Sequence, residues 1–441
     1  MADHSIIREP RQTGLNRIGL RAVTQPETVF NNLGHALTEE LLLEAYTQLD
    51  ANKAVGIDKV TKAMYGNNLS QNISELIRKI RRGQYRPKGS RIVEIPKEDG
   101  SKRPLAISCF EDKLVQWAVA KILSKIYEPV FLPCSYGFRP NKNGHDALRA
   151  LTQSAYKFSR GAIIEIDIQK YFNMIPHEHL MSFIKQKITD SRFLNLINTL
   201  ITVPVIAEGQ EVSTTRGCPQ GSIISPVLAN IYLHHVIDSW FNEVKSTHLK
   251  GKAEQIRYAD DMVFVFEEPM DAKRIWEVLD KRLQKYGLNL HKDKSRLIKS
   301  GSQTAKQAEL TGERMPTFQF LGFTCYWGKA DKGFWRLKCT SRADRFATAL
   351  KTMRRYLRSN LNTAETNETL KGLVRKVKGW INYHGVSDNH QRVSAFLYEA
   401  RRIVYKWFNR RGNKHSLKWE NVPFWLERAN FPKTYKTVSI W

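Results

Sequence analysis

The chain has 441 residues, 41% of them hydrophobic, enough for two or three packed units and too many for a wholly disordered polymer. Seventy Lys and Arg against 43 Asp and Glu leave a net charge of +27, a self-repulsion that calls for a polyanionic partner. No apolar run is long enough to cross a bilayer, and the five cysteines (Cys109, Cys134, Cys218, Cys325, Cys339) lack CxxC spacing and nearby His ligands, so neither a membrane protein nor a zinc module is expected.

Residues 1–36 are polar and punctuated by Gly and Asn, and read as a flexible arm whose start, Met1-Ala2-Asp3-His4-Ser5, opens no signal-peptide pattern. Together with the odd cysteine count, this points to a reducing, cytoplasmic setting. Leu37 to Leu49 reads as helix until Gly56-Ile57-Asp58 breaks the pattern, and Ile73, Leu76, Ile77 and Ile80 form a second helical stripe. From Arg91 the period changes. Ile92, Val93 and Ile95 precede Pro96, and Lys97-Glu98-Asp99-Gly100 turns into Lys102-Arg103-Pro104-Leu105, a hairpin with a basic tip. A helix over Asp112 to Tyr127 follows, then a strand from Gly161 to Ile168 and a helix from His177 to Ile188.

Ile224, Leu228, Ile231 and His235 share one helix face, Gln255 to Phe266 reads as two strands around a tight acidic turn, and Ala272 to Tyr286 is helical. Phe318 to Tyr326 reads as one strand, and the last third as all helix. Phe346, Leu350, Met353 and Leu357 recur at helical spacing. So do Leu373, Val377, Trp380 and Ile381, and then Leu397, Ala400, Val404 and Trp407, which together predict a three-helix bundle with basic outer faces. From Lys329 to Trp441 there are 25 basic and 8 acidic residues and six of the ten tryptophans, a mixture suited to phosphate contact and base stacking. His177-Glu178-His179 and His234-His235 fall on helices at spacings that do not face each other, and are expected to pack rather than bind metal.

Two acidic segments stand out. In Ile164-Glu165-Ile166-Asp167-Ile168, alternation puts Asp167 on the face opposite the three isoleucines. In Arg257-Tyr258-Ala259-Asp260-Asp261-Met262-Val263-Phe264, two adjacent carboxylates occupy a turn between apolar strands. Taken alone, that turn is equally an ordinary polar hairpin. If the strands pair in one sheet, at about 4.8 Å between neighbours, three carboxylates converge and require compensating cations. Two divalent ions driving an in-line phosphoryl displacement answer that need, and magnesium suits the hard oxygen ligands.

The order of several blocks carries a family resemblance. Tyr258-Ala259-Asp260-Asp261 resembles the YxDD box of reverse transcriptases, and Glu165 to Phe172 resembles their first acidic motif. Gly217-Cys218-Pro219-Gln220-Gly221-Ser222 through Leu233 is similar to the group II intron form of the motif between them. Ile95-Pro96-Lys97 to Arg103-Pro104-Leu105, Ser135 to Pro140, Leu288 to Lys294 and Phe320-Leu321-Gly322-Phe323 resemble further blocks of the same family, in the same order, over residues 37–441.

The resemblance implies an α+β right-hand polymerase fold. It divides the chain into an arm (1–36), an N-terminal extension with fingers (37–160), a palm (161–328), a helical thumb or maturase domain (329–411) and a short basic tail (412–441). It implies that Asp167 and Asp260, helped by the Ile168 carbonyl, hold two Mg2+ ions with Asp261 as third acid. Lys97 and Arg103 would grip the deoxynucleoside triphosphate, and Phe172 would exclude a 2′-hydroxyl; Tyr171 and Phe172 are adjacent, so only one can point inward. Gln220 would touch nucleotide and template, where Gly221 lets backbone approach closely, and Lys294 would protonate pyrophosphate. Phe320, Leu321 and Gly322 would form the primer grip, compatible with a strand that simply packs the palm. Arg401, Arg402, Lys406, Arg410 and Arg411 would contact RNA, in a region where Gly379 to Val386 also resembles the maturase segment.

Ser222 departs from the common Gly-Gly of the family, with altered substrate handling as the expected consequence. The implied partners are structured RNA of group II intron type, an RNA template with a DNA primer, and target DNA. The implied setting is the bacterial cytoplasm, and the implied class is the one lacking a Cys/His-rich endonuclease module. The competing roles are a splicing cofactor whose polymerase is idle, a domesticated enzyme of phage defence or spacer acquisition, and an RNA polymerase with similar acids.

Overall fold

The computed structural model describes residues 14–96, 102–207, 210–212, 215–360, 362, 365–411, 418–422, 426–427 and 429–441. In chain order the first elements are helices α1 (Gly14–Thr24), α2 (Glu39–Gln48), α3 (Lys62–Gly66) and α4 (Leu69–Arg81), hairpin strands β1 (Ser90–Pro96) and β2 (Lys102–Ile107), and helices α5 (Phe110–Tyr127) and α6 (Gly144–Lys157). Strand β3 (Gly161–Ile166) precedes helices α7 (Tyr171–Met174), α8 (His177–Lys185) and α9 (Ser191–Ile201) and the short strands β4 (Val205–Ala207) and β5 (Gln210–Val212). Helix α10 (Ser225–Leu233) runs through a π turn (His234–Asp238) into α11 (Ser239–Thr247), and the hairpin β6 (Ala253–Tyr258) and β7 (Asp261–Phe266) leads to α12 (Pro269–Lys285). The rest comprises β8 (Arg296–Ser300), α13 (Ser302–Thr311), β9 (Phe318–Phe320), β10 (Phe323–Lys329), β11 (Trp335–Ser341), α14 (Ala343–Asn360), α15 (Thr366–His384) and α16 (His390–Arg411). Among the described residues no helix is long and apolar enough to cross a membrane.

This mixed α+β chain forms two compact units, each drawn from three segments. One comprises Met1–Asn141, Asp167–His248 and Glu277–His291. Its core is α5, whose Leu114, Val115, Ala118, Val119, Ile122 and Leu123 are fully buried, with α1, α2 and α10 packed around it. The strands β2-β1-β4-β5 form a four-stranded sheet in which β1 is antiparallel to β2 and parallel to β4. The expected arm is corrected over residues 14–36. Ile18 and Ala22 of α1 are buried, as are Phe30, Leu33 and Ala36 beyond it. Gly19 permits this, because a Cβ there would stand 3.1 Å from Lys125 Cδ of α5. α1 is only 11 residues long and runs through Gly14 and Gly19, poor helix formers, which masked it in the sequence. Residues 1–13 lie outside the described residues, as does the hairpin tip with Lys97.

The second unit comprises Lys142–Ile166, Leu249–Trp276 and Lys292–Trp441. Its main sheet has the order β6-β7-β3-β8, all antiparallel. β3 is flanked on both sides and buried along its whole length, as its apolar run Ala162-Ile163-Ile164 requires. The expected single strand from Phe318 is instead the hairpin β9–β10, and the expected all-helical last third begins with β11, which extends it to a sheet of order β11-β10-β9. β11 alternates Leu337, Cys339 and Ser341 inward, a two-residue period that the surrounding charge obscured.

The three predicted C-terminal helices are present. Leu350, Met353, Leu357, Leu373, Val377, Ile381, Phe396, Ala400 and Val404 share one core, in which Trp380 stacks on Phe396 with ring centroids 3.8 Å apart. The described part of 412–441 is more than a basic tail. Val422, Leu426 and Phe431 complete the bundle core, and Ser439 accepts a 2.9 Å hydrogen bond from Arg149 of α6 through its carbonyl. Trp441 packs edge-on against Tyr156, 4.6 Å away. Arg336 of β11 pairs with the buried Asp388, and Asn389 accepts from the Ser341 amide at 3.0 Å, fixing the α15–α16 connection to the sheet.

Candidate active site

The acidic turn lies in the second unit. Tyr258 pairs with Asp261, so Ala259 and Asp260 form a two-residue hairpin loop. Ala259 has φ +57°, a left-handed conformation that costs a non-glycine residue about 1–2 kcal/mol. The neighbouring Arg257 is fully buried, and its Nη1 donates to the Ala259 carbonyl at 3.1 Å, which holds the loop from below. Sequence reasoning passed over Arg257. A cation with Ile256 and Tyr258 on either side was the available signal, because a buried charge needs a defined partner.

Asp261 accepts a 3.0 Å hydrogen bond from the Leu321 amide through Oδ2. Leu321 and Gly322 are the two loop residues of the β9–β10 hairpin, with φ +51° and +76°. Two successive positive φ values are the signature of a type I′ turn, where Asn-Gly is the usual sequence. The Leu321 carbonyl accepts from the Tyr383 hydroxyl of α15 at 2.8 Å, and the Tyr383 carbonyl bonds to His145 Nε2 at 2.7 Å. Asp261, the expected primer grip and α15 are therefore joined through one residue's backbone. Tyr383 is a second residue that sequence reasoning missed, although it lies in the Gly379–Val386 block. Burial, then the nearby Tyr258 and Asp261, push its hydroxyl up to about 12. Glu165, on β3, is buried but compensated, pairing with Arg296 at 2.7 Å and accepting from the Gln319 amide at 3.0 Å.

β3 ends at Ile166, paired with Met262, and Asp167 is the next residue of the chain. Asp167 and the residues after it belong to the first unit. The Asp167 carbonyl accepts from the His291 amide at 2.8 Å, Ile168 bridges Leu290, and the Gln169 amide donates to Asn289 at 2.9 Å. The Leu288–Lys294 block thus includes the strand-like partner of the residues that follow β3. Tyr171 is buried and donates to the Ala229 carbonyl at 2.6 Å, whereas Phe172 is half-buried. Of this pair, Tyr171 is the one anchored in the core.

Gln220 is half-buried. Its carbonyl accepts from the Ala106 amide at 2.7 Å, while its side-chain Oε1 is buried without a hydrogen-bond partner. Gly221 has φ +104°, and a Cβ there would stand 2.7 Å from the Ala106 carbonyl oxygen. Packing against β2, rather than substrate approach alone, accounts for this glycine. Ser222 is buried with its hydroxyl unpartnered. Arg103 on β2 and Lys294 are exposed, Phe320 is buried, and Leu321 and Gly322 are half-buried.

On α16, Arg401 is half-buried, Arg402 is exposed and paired with Glu399 at 2.8 Å, and Lys406 and Arg410 are exposed; the Arg411 side chain lies outside the described residues. Both histidine pairs serve packing. His177 Nε2 bonds to the Gly217 carbonyl at 2.7 Å, and His235 stacks on Phe183. Among the described residues no three His, Cys, Asp or Glu side chains stand grouped as a ready-made metal site.

Residues 95–325 match the family model described as reverse transcriptase (RNA-dependent DNA polymerase). The chain is 33% identical over 250 residues to a group II intron-encoded protein, LtrA, of Lactococcus lactis subsp. cremoris, covering 56% of this chain and 41% of that protein. It is 34% identical over 244 residues to protein YkfC of Escherichia coli strain K12, covering 54% and 63%. It is 31% identical over 225 residues to a putative COX1/OXI3 intron 2 protein of Saccharomyces cerevisiae, covering 50% and 26%. The matched stretches span between about a quarter and less than two thirds of these relatives' lengths.

Proposed function

Because the chain belongs to the reverse transcriptase (RNA-dependent DNA polymerase) family, we propose that it copies RNA into DNA by two-metal nucleotidyl transfer and binds group II intron RNA as a maturase that aids splicing. The observation that carries this reading is strand register. Ile166 pairs with Met262, Asp167 is the chain neighbour of the first and Asp261 of the second, and Asp260 occupies the adjoining hairpin loop.

In this reading Asp167, Asp260 and the Ile168 carbonyl hold two Mg2+ ions, with Asp261 as third acid. Carboxylate and carbonyl oxygens are the hard donors magnesium prefers, and the bound ions supply Lewis-acid activation of the primer 3′-hydroxyl and charge for the leaving pyrophosphate. The chain's own residues position the reactants. Asp261 steadies the Leu321 turn through its amide, which supports a primer grip of Phe320, Leu321 and Gly322. Lys97 and Arg103 grip the triphosphate and Lys294 delivers a proton to pyrophosphate, roles supported by the exposure of Arg103 and Lys294. Phe172 excludes the 2′-hydroxyl, supported by Tyr171 taking the core position. The unpartnered Gln220 Oε1 supports a contact to nucleotide or template, since a buried acceptor gains most from a ligand donor.

The right-hand arrangement follows the family: fingers within 37–160, palm within 161–328 and a helical thumb or maturase domain over 329–411. Arg401, Arg402, Lys406, Arg410 and Arg411 ride on RNA. The template–primer duplex and target DNA complete the partner set.

The test is extension of a DNA primer on an RNA template with magnesium. Asp260→Ala is expected to lower extension by about a thousandfold or more while RNA affinity stays within about twofold. Extension by the variant at the parent rate would remove the metal assignment, and a preference for ribonucleotides would remove the sugar-filter role of Phe172.

A further inference from the structure

Helix α16 has two unlike faces. Val393, Phe396, Leu397, Ala400 and Val404 face the bundle core and are buried. Tyr398, Arg402, Tyr405 and Asn409 recur at spacings of four, three and four on another side, flanked by Lys406 and Arg410. These residues line a cavity of about 880 Å³, which Arg354 of α14 and Trp419 also border.

The chemistry of that lining is specific. Four cations (Arg354, Arg402, Lys406, Arg410) face one carboxylate, Glu399. Tyr398 is 54% exposed and Trp419 39%, whereas Trp380 and Phe396 of the same bundle stack on each other at its core. Trp419 stands nearly perpendicular to both tyrosines, 6.1 Å from Tyr398 and 5.4 Å from Tyr405, and all three rings line the cavity. The Arg402 guanidinium lies 5.9 Å from the Tyr398 ring and is steadied by Glu399.

We propose that this cavity binds a single-stranded RNA segment, with unpaired bases stacked on Tyr398 and Trp419 and phosphates held by Arg402, Lys406 and Arg410. The inference rests on the reading that RNA is the protein's polyanionic partner. Duplex RNA is recognised through phosphates and 2′-hydroxyls and has no need of open aromatic faces. Exposed rings interleaved with cations are the pattern of single-strand binding, where each stacked base contributes independently of sequence. The excess of four cations over one acid makes the lining strongly positive, and a chain of phosphates, one charge per nucleotide, is the polyanion that complements it.

The experiment measures fluorescence anisotropy of the full chain with a labelled uridine 12-mer and, separately, a blunt RNA duplex of equal length, at about 0.15 M salt. Tyr398→Ala and Trp419→Ala are each expected to weaken uridine-oligomer binding by about tenfold, the loss of one stacked base. Duplex affinity should stay within about twofold, and Tyr398→Phe and Trp419→Phe should bind like the parent. Unchanged oligomer binding in the alanine variants overturns the proposal, and so does an equal loss for oligomer and duplex, which would mean electrostatics alone. Phenylalanine variants as weak as the alanine ones also overturn it, because stacking would then not be the cause.

Primer extension on a short unstructured template separates this site from the polymerase reading. A parent that extends primers, with alanine variants that bind the oligomer normally, loses the docking site and keeps the polymerase. A parent that extends nothing, yet loses oligomer binding with each ring, keeps the site and loses the polymerase.

Discussion

Leu321 shows how a single residue can be held against its own preference. A left-handed backbone at a bulky side chain costs about 1–2 kcal/mol. Two hydrogen bonds oppose that cost, one from its amide to the Asp261 carboxylate and one to its carbonyl from the Tyr383 hydroxyl. A neutral bond contributes about 0.5–1.5 kcal/mol and one to a charged group about 1.5–3, so the pair outweighs the strain. Tyr383 titrates only near 12, so its hydroxyl remains a donor through neutral and mildly alkaline pH. Tyr383→Phe is therefore expected to lower stability by about 1 kcal/mol, read as a lower denaturation midpoint with an unchanged slope, and to raise the KM for template–primer more than that for nucleotide. An unmoved midpoint would mean that the turn does not depend on this bond. The strand that leads to Asp167 and the hairpin that carries Asp260 and Asp261 were legible in sequence because each motif is contiguous. Tyr383 was not, because it acts on the Leu321 carbonyl, 62 residues away in the chain, and Arg257 was not, because only its burial in the sheet gives a local bond to the Ala259 carbonyl its weight.

Among the elements, period decided what could be read. α5 and the three C-terminal helices repeat apolar residues over several turns; α5 begins two residues before its expected start, and each C-terminal helix spans its expected stripe. The β9–β10 hairpin was hidden because Leu321 occupies a position where Asn or Gly announces a turn, so Phe318 to Tyr326 read as continuous strand. The loop from Cys218 to Ser222 offers a sharper test of how elements dock. Gly221→Ala puts a Cβ 2.7 Å from the Ala106 carbonyl oxygen at φ +104°, and backbone cannot yield as a side chain can. A loss of about 2–3 kcal/mol is expected, a fall of roughly 5 °C in thermal midpoint. At the next position the sign reverses. Ser222 buries an unpartnered hydroxyl, so Ser222→Ala should leave the midpoint unchanged or raise it by up to about 2 °C. If both variants melt alike, the loop does not dock on β2 as described.

At the scale of the whole molecule, protons and salt act on opposite states. Burial lowers His235 and His384 to about 4, the latter among Trp380, Phe323 and Tyr383 with its Nδ1 unpartnered. The unfolded chain takes up protons near 6.5 that the folded chain refuses until about 4, so stability is lost as pH falls through that window. Asp112 acts the other way. Burial raises it to about 6, so its contribution is full below 3.8 and is lost as pH rises through 6. Two imidazoles against one carboxyl make the net effect acid destabilisation, and His384→Phe should retain more of its pH 7 denaturation midpoint at pH 5 than the parent does. Equal losses would mean that His384 is not refusing the proton. Salt, by contrast, tests the bound state. A net charge of +27, with 25 of the basic residues beyond residue 328, requires that affinity for RNA be carried largely by counterion release. Each neutralised phosphate of a single strand contributes about 0.7 to the slope of log affinity against log salt, so five or more such contacts give a slope of roughly −3.5 or steeper. Arg402→Ala and Lys406→Ala should each reduce that slope by about 0.7, because both cations are exposed on the outer face of α16. A slope near zero, or one that neither substitution changes, would move the RNA surface away from this helix.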